Sequence, residues 1–389
     1  RRELERIGVD PSGIVRMLPK LELLPILVPH LRPAAANILK QELLSLGGDA
    51  AVARGSVACS VEKTDALLIA TRKHLSALCA KLVQQPFGLA DLADQLRELL
   101  AHLAAPAASW RLARRTLELK KPLIMGILNV TPDSFSDGGR YVTVEAAVNH
   151  ALQMEDQGAD IIDIGAESTR PGAPLISAEE ELQRILPVLE ALDGRLSAPI
   201  SIDTWKAPVA EAALHAGAEI INDISGLTFD PSLANVAARH HAGLVLMHTR
   251  GKPESMQQDT CYQDLMGEIA DFLQKSIQSA LAAGLSREQL VVDPGIGIGF
   301  GKDVTDNLEI LRRLPELAGL GCPLLVGTSR KRFIGAILSQ ERPEDRLFGT
   351  AATVALAVSQ GARILRVHDV HAMRDVALMA HSIVSPSTD

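Results

Sequence analysis

From residue 121 onward, short apolar runs alternate with segments in which apolar positions recur every three or four residues. The second pattern predicts amphipathic helices, for example over residues 144–157, 178–192, 207–216 and 306–314. The apolar runs predict eight strands, at residues 123–128, 160–165, 199–203, 219–223, 243–247, 290–293, 323–327 and 363–367. Eight strands, each followed by a helix, are typical of a (β/α)8 TIM barrel.

The runs are apolar throughout rather than alternating with polar residues, which fits parallel strands that are buried on both faces. Glycines before several runs, such as Gly158 and Gly217, are typical helix ends in a β/α repeat. An open doubly wound sheet is the alternative architecture. That fold usually has fewer strands, and no run here opens a G-x-G-x-x-G helix.

Residues 1–110 show a different pattern and predict a small separate α/β domain before the barrel of residues 111–389. We expect strands at residues 21–29, 50–53, 57–60 and 66–70, and helices at 33–46, 72–84 and 89–103. The segment 104–115 would join this domain to the barrel. The domain contains no phosphate-binding loop or metal-ligand spacing, so its sequence indicates no role.

Composition narrows the class of protein. With 389 residues, 47% hydrophobic and only 3% aromatic, the chain can bury an aliphatic core but offers few aromatic platforms for stacked bases. The net charge of −8 argues against a nucleic-acid partner, although a few local cations could still hold a small phosphorylated ligand. The four cysteines form no C-x-x-C pair, there is no apolar run of membrane-span length, and six of the first ten residues are charged. We therefore expect a cytoplasmic protein with no membrane partner.

Polar residues follow or end every predicted barrel strand. In a barrel the carboxyl ends of all strands meet at one face, where barrel enzymes carry their chemistry. The residues at this face would be Asn129, Asp163, Glu167, Asp203, Asn222, Asp223, His248, Asp293, Ser329, Arg330, Lys331, His368 and Asp369.

Asp203, Asn222 and Asp293 end three of the strands. A carboxylate inside a barrel is costly unless it is paired or hydrogen-bonded. A ligand edge with two adjacent N–H groups, such as an aminopyrimidinone ring, would satisfy it. A divalent-metal site built from carboxylates is the alternative.

Two loops and two strand ends add further candidates. The loop 129–139 is rich in Ser, Thr, Asp and Gly, and Phe135 within it is either a lid residue or a tucked side chain in a turn. Arg170 follows the second strand and suits either an anion or a surface salt bridge. Lys331 and His368 lie at strands seven and eight, where barrels often bind phosphate, although His368 could also be a core histidine.

Taken together, these motifs resemble those of the dihydropteroate synthases. The resemblance covers about residues 120–384 and rests on N-V-T-P-D-S-F-S-D-G-G from Asn129, E-S-T-R-P-G from Glu167, and the strand-end pairs from Asp203 and Asn222. It also rests on D-P-G from Asp293, S-R-K from Ser329 and R-V-H-D from Arg366. The chain departs from the family in the longer loop G-I-G-I-G-F-G-K after strand six and in the extra N-terminal domain.

The resemblance implies that 4-aminobenzoate is condensed with 6-hydroxymethyl-7,8-dihydropterin diphosphate, giving 7,8-dihydropteroate and pyrophosphate in folate biosynthesis. It implies Mg²⁺ as cofactor, with Asn129 as its protein ligand, these two small-molecule substrates as partners, and a homodimer formed through the barrel. A pterin-dependent methyltransferase on the same barrel, or a pterin-binding module without turnover, are the alternatives.

The resemblance also assigns residues. The catalytic residues would be Lys331, Asp203, Asp293, Arg366 and His368. The pterin would contact Asp203, Asn222, Asp293, Lys331 and Met247. The diphosphate would contact Asn129, Asp163, Thr169, Arg366 and His368. The aminobenzoate would contact Phe135, Asp137, Arg170, Pro171, Phe300 and Ser329.

Overall fold

A computed structural model describes residues 1–130, 140–167, 175–251 and 260–385 of the chain. These residues form two compact units, Arg1–Ala105 and Pro106–Asp389. The sequence-derived sites Phe135, Asp137, Thr169, Arg170 and Pro171 lie outside the described residues.

The first unit is a three-stranded antiparallel sheet packed with helices. Its strands lie in the order β1-β3-β2. Its elements are α1 (Arg2–Ile7), α2 (Pro11–Met17), β1 (Leu23–Leu31), α3 (Pro33–Ser45), β2 (Asp49–Val52), β3 (Thr64–Thr71), α4 (Arg72–Leu82) and α5 (Leu89–Ala104).

Local sequence explains these elements. Burial alternates along β3, so Leu68 faces the core of this unit while its neighbours Leu67 and Ile69 are exposed. Pro33 occupies the first turn of α3, where its missing N–H costs nothing, and the side chain of Thr71 caps α4 by accepting from the backbone N–H of His74.

The strand expected at residues 57–60 is wrong. The backbone there forms a turn that follows a 3₁₀ segment, Arg54–Ser56, and Val57 is exposed. The N–H of Ser60 donates to the carbonyl of Gly55 at 3.0 Å, and Cys59 has a φ of 50°, which is incompatible with a strand. The helices α1 and α2 were not expected from the sequence.

The second unit is a closed parallel barrel preceded by a short hairpin, β4 (Ser109–Arg111) and β5 (Thr116–Glu118). Its eight-stranded sheet has the order β11-β10-β9-β8-β7-β6-β13-β12, and a parallel bridge between Val292 and Leu324 joins its two ends. The closure excludes the open doubly wound sheet. The strands are β6 (Leu123–Asn129), β7 (Ile161–Gly165), β8 (Ile200–Asp203), β9 (Ile220–Asp223), β10 (Gly243–Met247), β11 (Leu290–Asp293), β12 (Leu325–Val326) and β13 (Ile364–Val367).

Helices follow the strands and bury their apolar faces against the barrel. They are α6 (Arg140–Asp156), α7 (Ala178–Leu192), α8 (Ala207–His215), α9 (Leu233–Arg239), α10 (Leu265–Ala282), α11 (Val304–Arg313), α12 (Arg332–Leu338), α13 (Leu347–Ser359) and α14 (Val370–Val384). Gly158 and Gly217 have φ angles of 94° and 105°, as expected for helix ends before a strand. Within the described ranges, no helix combines the length and apolar character of a membrane span.

The hairpin packs into the amino-terminal end of the barrel. Trp110 is fully buried there among inward-facing residues such as Met125 and Val245, and its indole N–H donates to the carbonyl of Gln289 at 2.9 Å. A Cβ at Gly243 would lie 2.5 Å from Cδ2 of Leu112 and 3.1 Å from the Trp110 ring, so a larger residue there would force these side chains to shift. The carboxyl ends of the strands are thus left as the face for polar chemistry.

Candidate active site

Four strand ends bring two carboxylates, an amide and a guanidinium into one hydrogen-bonded cluster. Arg366 on β13 donates from Nε to Asp163 on β7 and from Nη2 to Asp203 on β8, each at 2.6 Å. Asn222 on β9 donates to the same Asp163 oxygen at 3.1 Å. The other oxygen of Asp163, Oδ1, is buried and has no hydrogen-bond partner among the residues that the structure describes. The cluster fixes the guanidinium between two acids.

Burial dominates the electrostatics of this cluster. It raises the pKa of Asp203 to about 7, and Asp163 adds to that rise while Arg366 opposes it. Burial alone would lower the pKa of Arg366, but the two carboxylates outweigh it and raise the pKa. Arg366 therefore stays charged, and Asp203 takes up a proton more readily than an exposed aspartate does. Because Arg366 occupies the space between Asp163 and Asp203, this part of the site does not fit the carboxylate metal site considered as an alternative.

The charges of Asp293 and Lys331 influence each other. Asp293 ends β11 and accepts from the backbone N–H of Gly295 at 2.7 Å. Burial raises its pKa, and Lys331 opposes that rise. Burial likewise lowers the pKa of Lys331 to about 8, against the effect of Asp293. The Lys331 ammonium donates to the carbonyl of Ile296 and lies 5.1 Å from the ring centre of Phe300.

The loop after β11 approaches the strand ends closely. A Cβ at Gly295 would lie 1.9 Å from the carbonyl oxygen of His248, and the φ of Gly295 is 70°, so only glycine fits. Phe300, in the 3₁₀ segment Ile298–Phe300, packs with Met247 and Ile224. The longer glycine-rich loop therefore places an aromatic ring and an apolar patch beside Lys331.

Ser329 and His368 lie together after β12 and β13. The Ser329 hydroxyl oxygen accepts from the backbone N–H of His368 at 3.1 Å and lies 3.0 Å from its Nδ1. Beside them Arg330 adopts a φ of 58° and forms a two-bond ion pair with Asp369 at 2.6 and 2.9 Å. The resemblance assigned Ser329 and His368 to different ligands, whereas their side chains are in contact.

The sequence pattern did not indicate two buried networks next to these residues. In the first, Lys302 lies with its ammonium 2.8 Å from Nδ1 of His248. In the second, Lys206 lies 2.7 Å from Glu181 and 3.1 Å from Glu167, and the Glu167 carboxylate also accepts from the indole N–H of Trp205 at 3.2 Å. The second network ties the loop after β7 to the loop after β8. Lys206 was not a candidate because a lysine outside any motif gives no sign of burial.

Asn129 is the last residue of β6, and its side chain is exposed at the same end of the barrel. Its amide oxygen is of the type that Mg²⁺ prefers. The strand-end residues Asp163, Asp203, Asn222, Asp293, Lys331, Arg366 and His368 thus occur together with Asn129 at one face of the barrel.

Known proteins resemble this chain over the barrel. A family model described as pterin binding enzyme matches residues 125–368. The dihydropteroate synthase of Synechocystis sp. is 51% identical over 264 residues, which are 68% of this chain and 91% of the relative. Among solved structures, a dihydropteroate synthase from Xanthomonas albilineans with 4-aminobenzoic acid has a TM-score of 0.67 and 44% identity, covering 72% of this chain and 99% of that one. A structure from the same organism with 7,8-dihydropteroate has a TM-score of 0.64 and 42% identity, over 72% and 99% of the two chains.

One relative extends the likeness to the first unit. A probable bifunctional folylpolyglutamate synthase/dihydropteroate synthase of Halobacterium salinarum is 43% identical over 373 residues, which are 95% of this chain. This chain spans only 44% of the length of that relative. The family match, the identity over nearly whole relatives and the shared barrel agree with one another: the chain belongs to the pterin-binding enzyme family, among the dihydropteroate synthases.

Proposed function

We propose that this chain condenses 4-aminobenzoate with 6-hydroxymethyl-7,8-dihydropterin diphosphate, forming 7,8-dihydropteroate and releasing pyrophosphate in folate biosynthesis. The observation that carries the proposal is the grouping of acids and cations at the strand ends: Arg366 forms an ion pair with Asp203, and the charge of Lys331 acts on the buried Asp293. Relatives that were solved with 4-aminobenzoic acid and with 7,8-dihydropteroate support one substrate and the product.

The buried acids suit the pterin. Asp293 is a buried carboxylate whose raised pKa reflects poor solvation, so two N–H donors from the 2-amino group and N3 of a pterin would relieve that cost. Asn222 offers a donor and an acceptor, and Asp203 a second carboxylate. Met247 lies in the apolar patch with Phe300 and would contact a ring face. Lys331 would lie beside the pterin.

The cations suit the diphosphate. Arg366 is held by Asp163 and Asp203, so its orientation is set before a substrate arrives and need not be organised during the reaction. We assign the diphosphate to Arg366 and His368, together with Asn129, Asp163 and Thr169. The last of these, Thr169, lies outside the described residues.

Asn129 fits Mg²⁺ by its donor chemistry. Mg²⁺ is usually held by one or two protein oxygens, several waters and the phosphate oxygens of a substrate, and Asn129 presents one exposed amide oxygen at this end of the barrel. When bound, Mg²⁺ would neutralise charge on the departing pyrophosphate.

The aminobenzoate needs positioning more than activation. We assign its site to Phe300 and Ser329 and to the loop residues Phe135, Asp137, Arg170 and Pro171. The amine nitrogen attacks the methylene carbon, the bond from that carbon to the diphosphate oxygen breaks, and the nitrogen loses a proton. The electron-rich pterin stabilises positive charge at the methylene, so no covalent enzyme intermediate is required.

Pyrophosphate release tests the proposal directly. Purified protein is mixed with the pterin diphosphate, Mg²⁺ and 4-aminobenzoate, and pyrophosphate and dihydropteroate are measured together. We expect equal amounts of both products, and none when 4-aminobenzoate is omitted. Lys275→Met, which changes an exposed lysine on α10, is the matched control for losses caused by Lys331→Met.

Absence of pyrophosphate release by the wild-type chain, with the fold intact by circular dichroism, would contradict the proposed reaction. Methyl transfer to a corrinoid under the same conditions would support the methyltransferase alternative instead. Tight pterin binding with neither pyrophosphate release nor methyl transfer would indicate a pterin-binding module without turnover.

We also propose that the chain forms a homodimer through the barrel. The outer faces of α13 and α14 expose large apolar side chains: Phe348 is 82% exposed, Leu356 56%, Met379 64% and Ile383 71%. Exposed apolar residues on neighbouring helices are typical of subunit interfaces. The two helices pack against each other, so these residues share one side of the barrel.

Light scattering after size exclusion tests the homodimer. We expect a mass of two chains for the wild type and of one chain for Phe348→Glu. Val57→Glu, at an equally exposed position in the first unit, should leave the dimer intact. A wild-type mass of one chain at all concentrations would overturn this proposal without affecting the proposed reaction.

A further inference from the structure

Three side chains with metal-binding atoms meet on the outside of the barrel, away from the strand-end site. Glu211 and His215 are on α8, and His240 directly follows α9. One ligand atom from each of the three lies within 4.8 Å of the others. Glu211 and His215 are four residues apart, so the helix places them on one face. The packing of α8 against α9 brings the third residue to them.

The distances between the ligand atoms lie on either side of those found around a bound transition metal. Nε2 of His240 lies 2.9 Å from Oε1 of Glu211, and the imidazole rings of His215 and His240 are 4.7 Å apart at 81°. In a tetrahedral zinc site with bonds of about 2.0–2.1 Å, neighbouring ligand atoms lie about 3.3 Å apart. Nδ1 of His215 lies 4.0 Å from Oε1 of Glu211, and the His215 side chain is 68% exposed.

The hydrogen bonds also favour ligation. Nδ1 of His215 lies 2.8 Å from the carbonyl oxygen of Glu211. If Nδ1 donates to that carbonyl, Nε2 carries the lone pair that a metal needs, which is a common arrangement around zinc ligands. Arg239 pairs with Oε2 of Glu211 and leaves Oε1 to the side of His240.

The backbone adds negative potential at the same place. His215 is the last residue of α8, and His240 is the C-cap of α9. Helix carboxyl ends carry partial negative charge and favour cations. The negative charge of Glu211 and the partial negative charges of the two helix ends therefore offset the positive charge of Arg239.

We propose that Glu211, His215 and His240 form a surface site for a borderline divalent cation such as Zn²⁺, with water completing the coordination. Two imidazoles and a carboxylate are typical zinc ligands, whereas Mg²⁺ prefers oxygen ligands alone. The site is thus separate in chemistry from the Mg²⁺ of the proposed reaction. Bound metal would tie the end of α8 to the end of α9 and stabilise the folded barrel by mass action.

Zinc titration of the full chain tests the site. Metal-free protein in excess Mg²⁺ is titrated with Zn²⁺ by calorimetry, and with Co²⁺ by visible absorption, which reports tetrahedral coordination. We expect one such site per chain and a Zn²⁺-dependent rise in melting temperature. The variants are Glu211→Gln and His215→Gln. Both are conservative changes, and the side chains that they replace are 32% and 68% exposed, respectively. Each should weaken Zn²⁺ binding at least tenfold and remove the cobalt band.

His241→Asn is the matched control. His241 is exposed, adjacent to His240 and outside the cluster, and asparagine tolerates its φ of 52°. Its Zn²⁺ affinity should equal that of the wild type. The proposal would be overturned if all variants bound Zn²⁺ with equal affinity, which is the result expected if the exposed Cys59 or Cys261 held the metal. It would also be overturned if the wild type bound no Zn²⁺. Pyrophosphate release with Mg²⁺ is expected to be unchanged in these variants, so failure of this site is distinguishable from failure of the proposed reaction.

Discussion

The ammonium of Lys302 lies 2.8 Å from Nδ1 of His248, and both side chains are buried. Burial, together with Lys302, lowers the pKa of His248 to about 2, so the imidazole is neutral and accepts a hydrogen bond from the lysine. The same ammonium donates to the carbonyl of Phe300 at 3.2 Å. Burial lowers the pKa of Lys302 to about 7, against the effect of Asp293. Lys302 thus links the loop after β11 to the end of β10, and its burial disfavours the charged form of its side chain.

Lys302 is expected to make barrel stability depend on pH. Its pKa is about 7 in the folded chain and 10.5 in its ordinary state, so between these values the unfolded chain binds more protons. The free energy of unfolding therefore rises with pH across this window. Lys302→Met should reduce that rise by on the order of 1–2 kcal/mol between about pH 7 and 9. Urea unfolding at several pH values, followed by tryptophan fluorescence, measures the effect.

Fluorescence reports the barrel unit alone, because the two tryptophans of the chain, Trp110 and Trp205, both belong to it. Lys275→Met is the control, since it removes an exposed lysine from the same unit. If Lys302→Met kept the same pH dependence as Lys275→Met, the buried lysine would not be the source of the rise.

Asp293→Asn is expected to weaken pterin binding by about 100-fold. The change keeps the shape but removes the second acceptor and the charge, and hydrogen bonds to a charged group are worth about 1.5–3 kcal/mol each. Calorimetric titration with a hydroxymethylpterin measures it. Asp375→Asn, an exposed change on α14, serves as the control. An unchanged affinity in Asp293→Asn would remove Asp293 from the pterin site.

Lys331→Met is expected to retain the fold and to lower kcat by about 100-fold, as for loss of a positioned charge in an active site. Because burial lowers the pKa of Lys331 to about 8, the wild-type rate should fall as the pH rises through that value and the ammonium loses its proton. The variant should lack this alkaline limb. Steady-state rates of both proteins measured across pH test this assignment. If the variant also lost activity at alkaline pH, the titrating group would be one other than Lys331.

The two units are expected to separate best before the hairpin. A chain of residues 106–389 keeps Trp110, whereas deletion of residues 1–110, the domain boundary expected from the sequence, removes it from the barrel core. Loss of a buried tryptophan costs about 3–5 kcal/mol. We expect the longer piece to melt near the full chain and to release pyrophosphate, and the shorter one to melt at a lower temperature. Equal melting of both pieces would show that Trp110 contributes little.

Much of the barrel could be predicted from the sequence because buried parallel strands are continuous apolar runs and the glycines that end helices are visible. The strands β8, β10 and β11 match their expected ranges within one residue. The polar residues after them, such as Asp203 and Asp293, are conspicuous because they interrupt apolar runs.

Other parts carried no such signal. The strand expected at residues 57–60 is wrong because a short segment that begins with Val57 does not reveal a positive φ at Cys59. The sequence predicts a linker around Trp110 because the strands of the hairpin there are only three residues long. The burial of Lys302 and Lys206 depends on contacts between separate loops, which no local pattern records.

The amino-terminal end of the barrel, which Trp110 fills, has a consequence for the order in which ligands bind. Trp110 and the inward-facing aliphatic residues close that end, so the strand-end face is the route by which both substrates would enter and both products leave. Under the proposed function, the pterin would contact the buried Asp293 and Asn222, so we expect it to bind before the aminobenzoate. The pyrophosphate that the attack of the amine releases would leave through the same face. Because one end of the barrel is closed, the shape of the barrel itself would set the order in which the ligands bind.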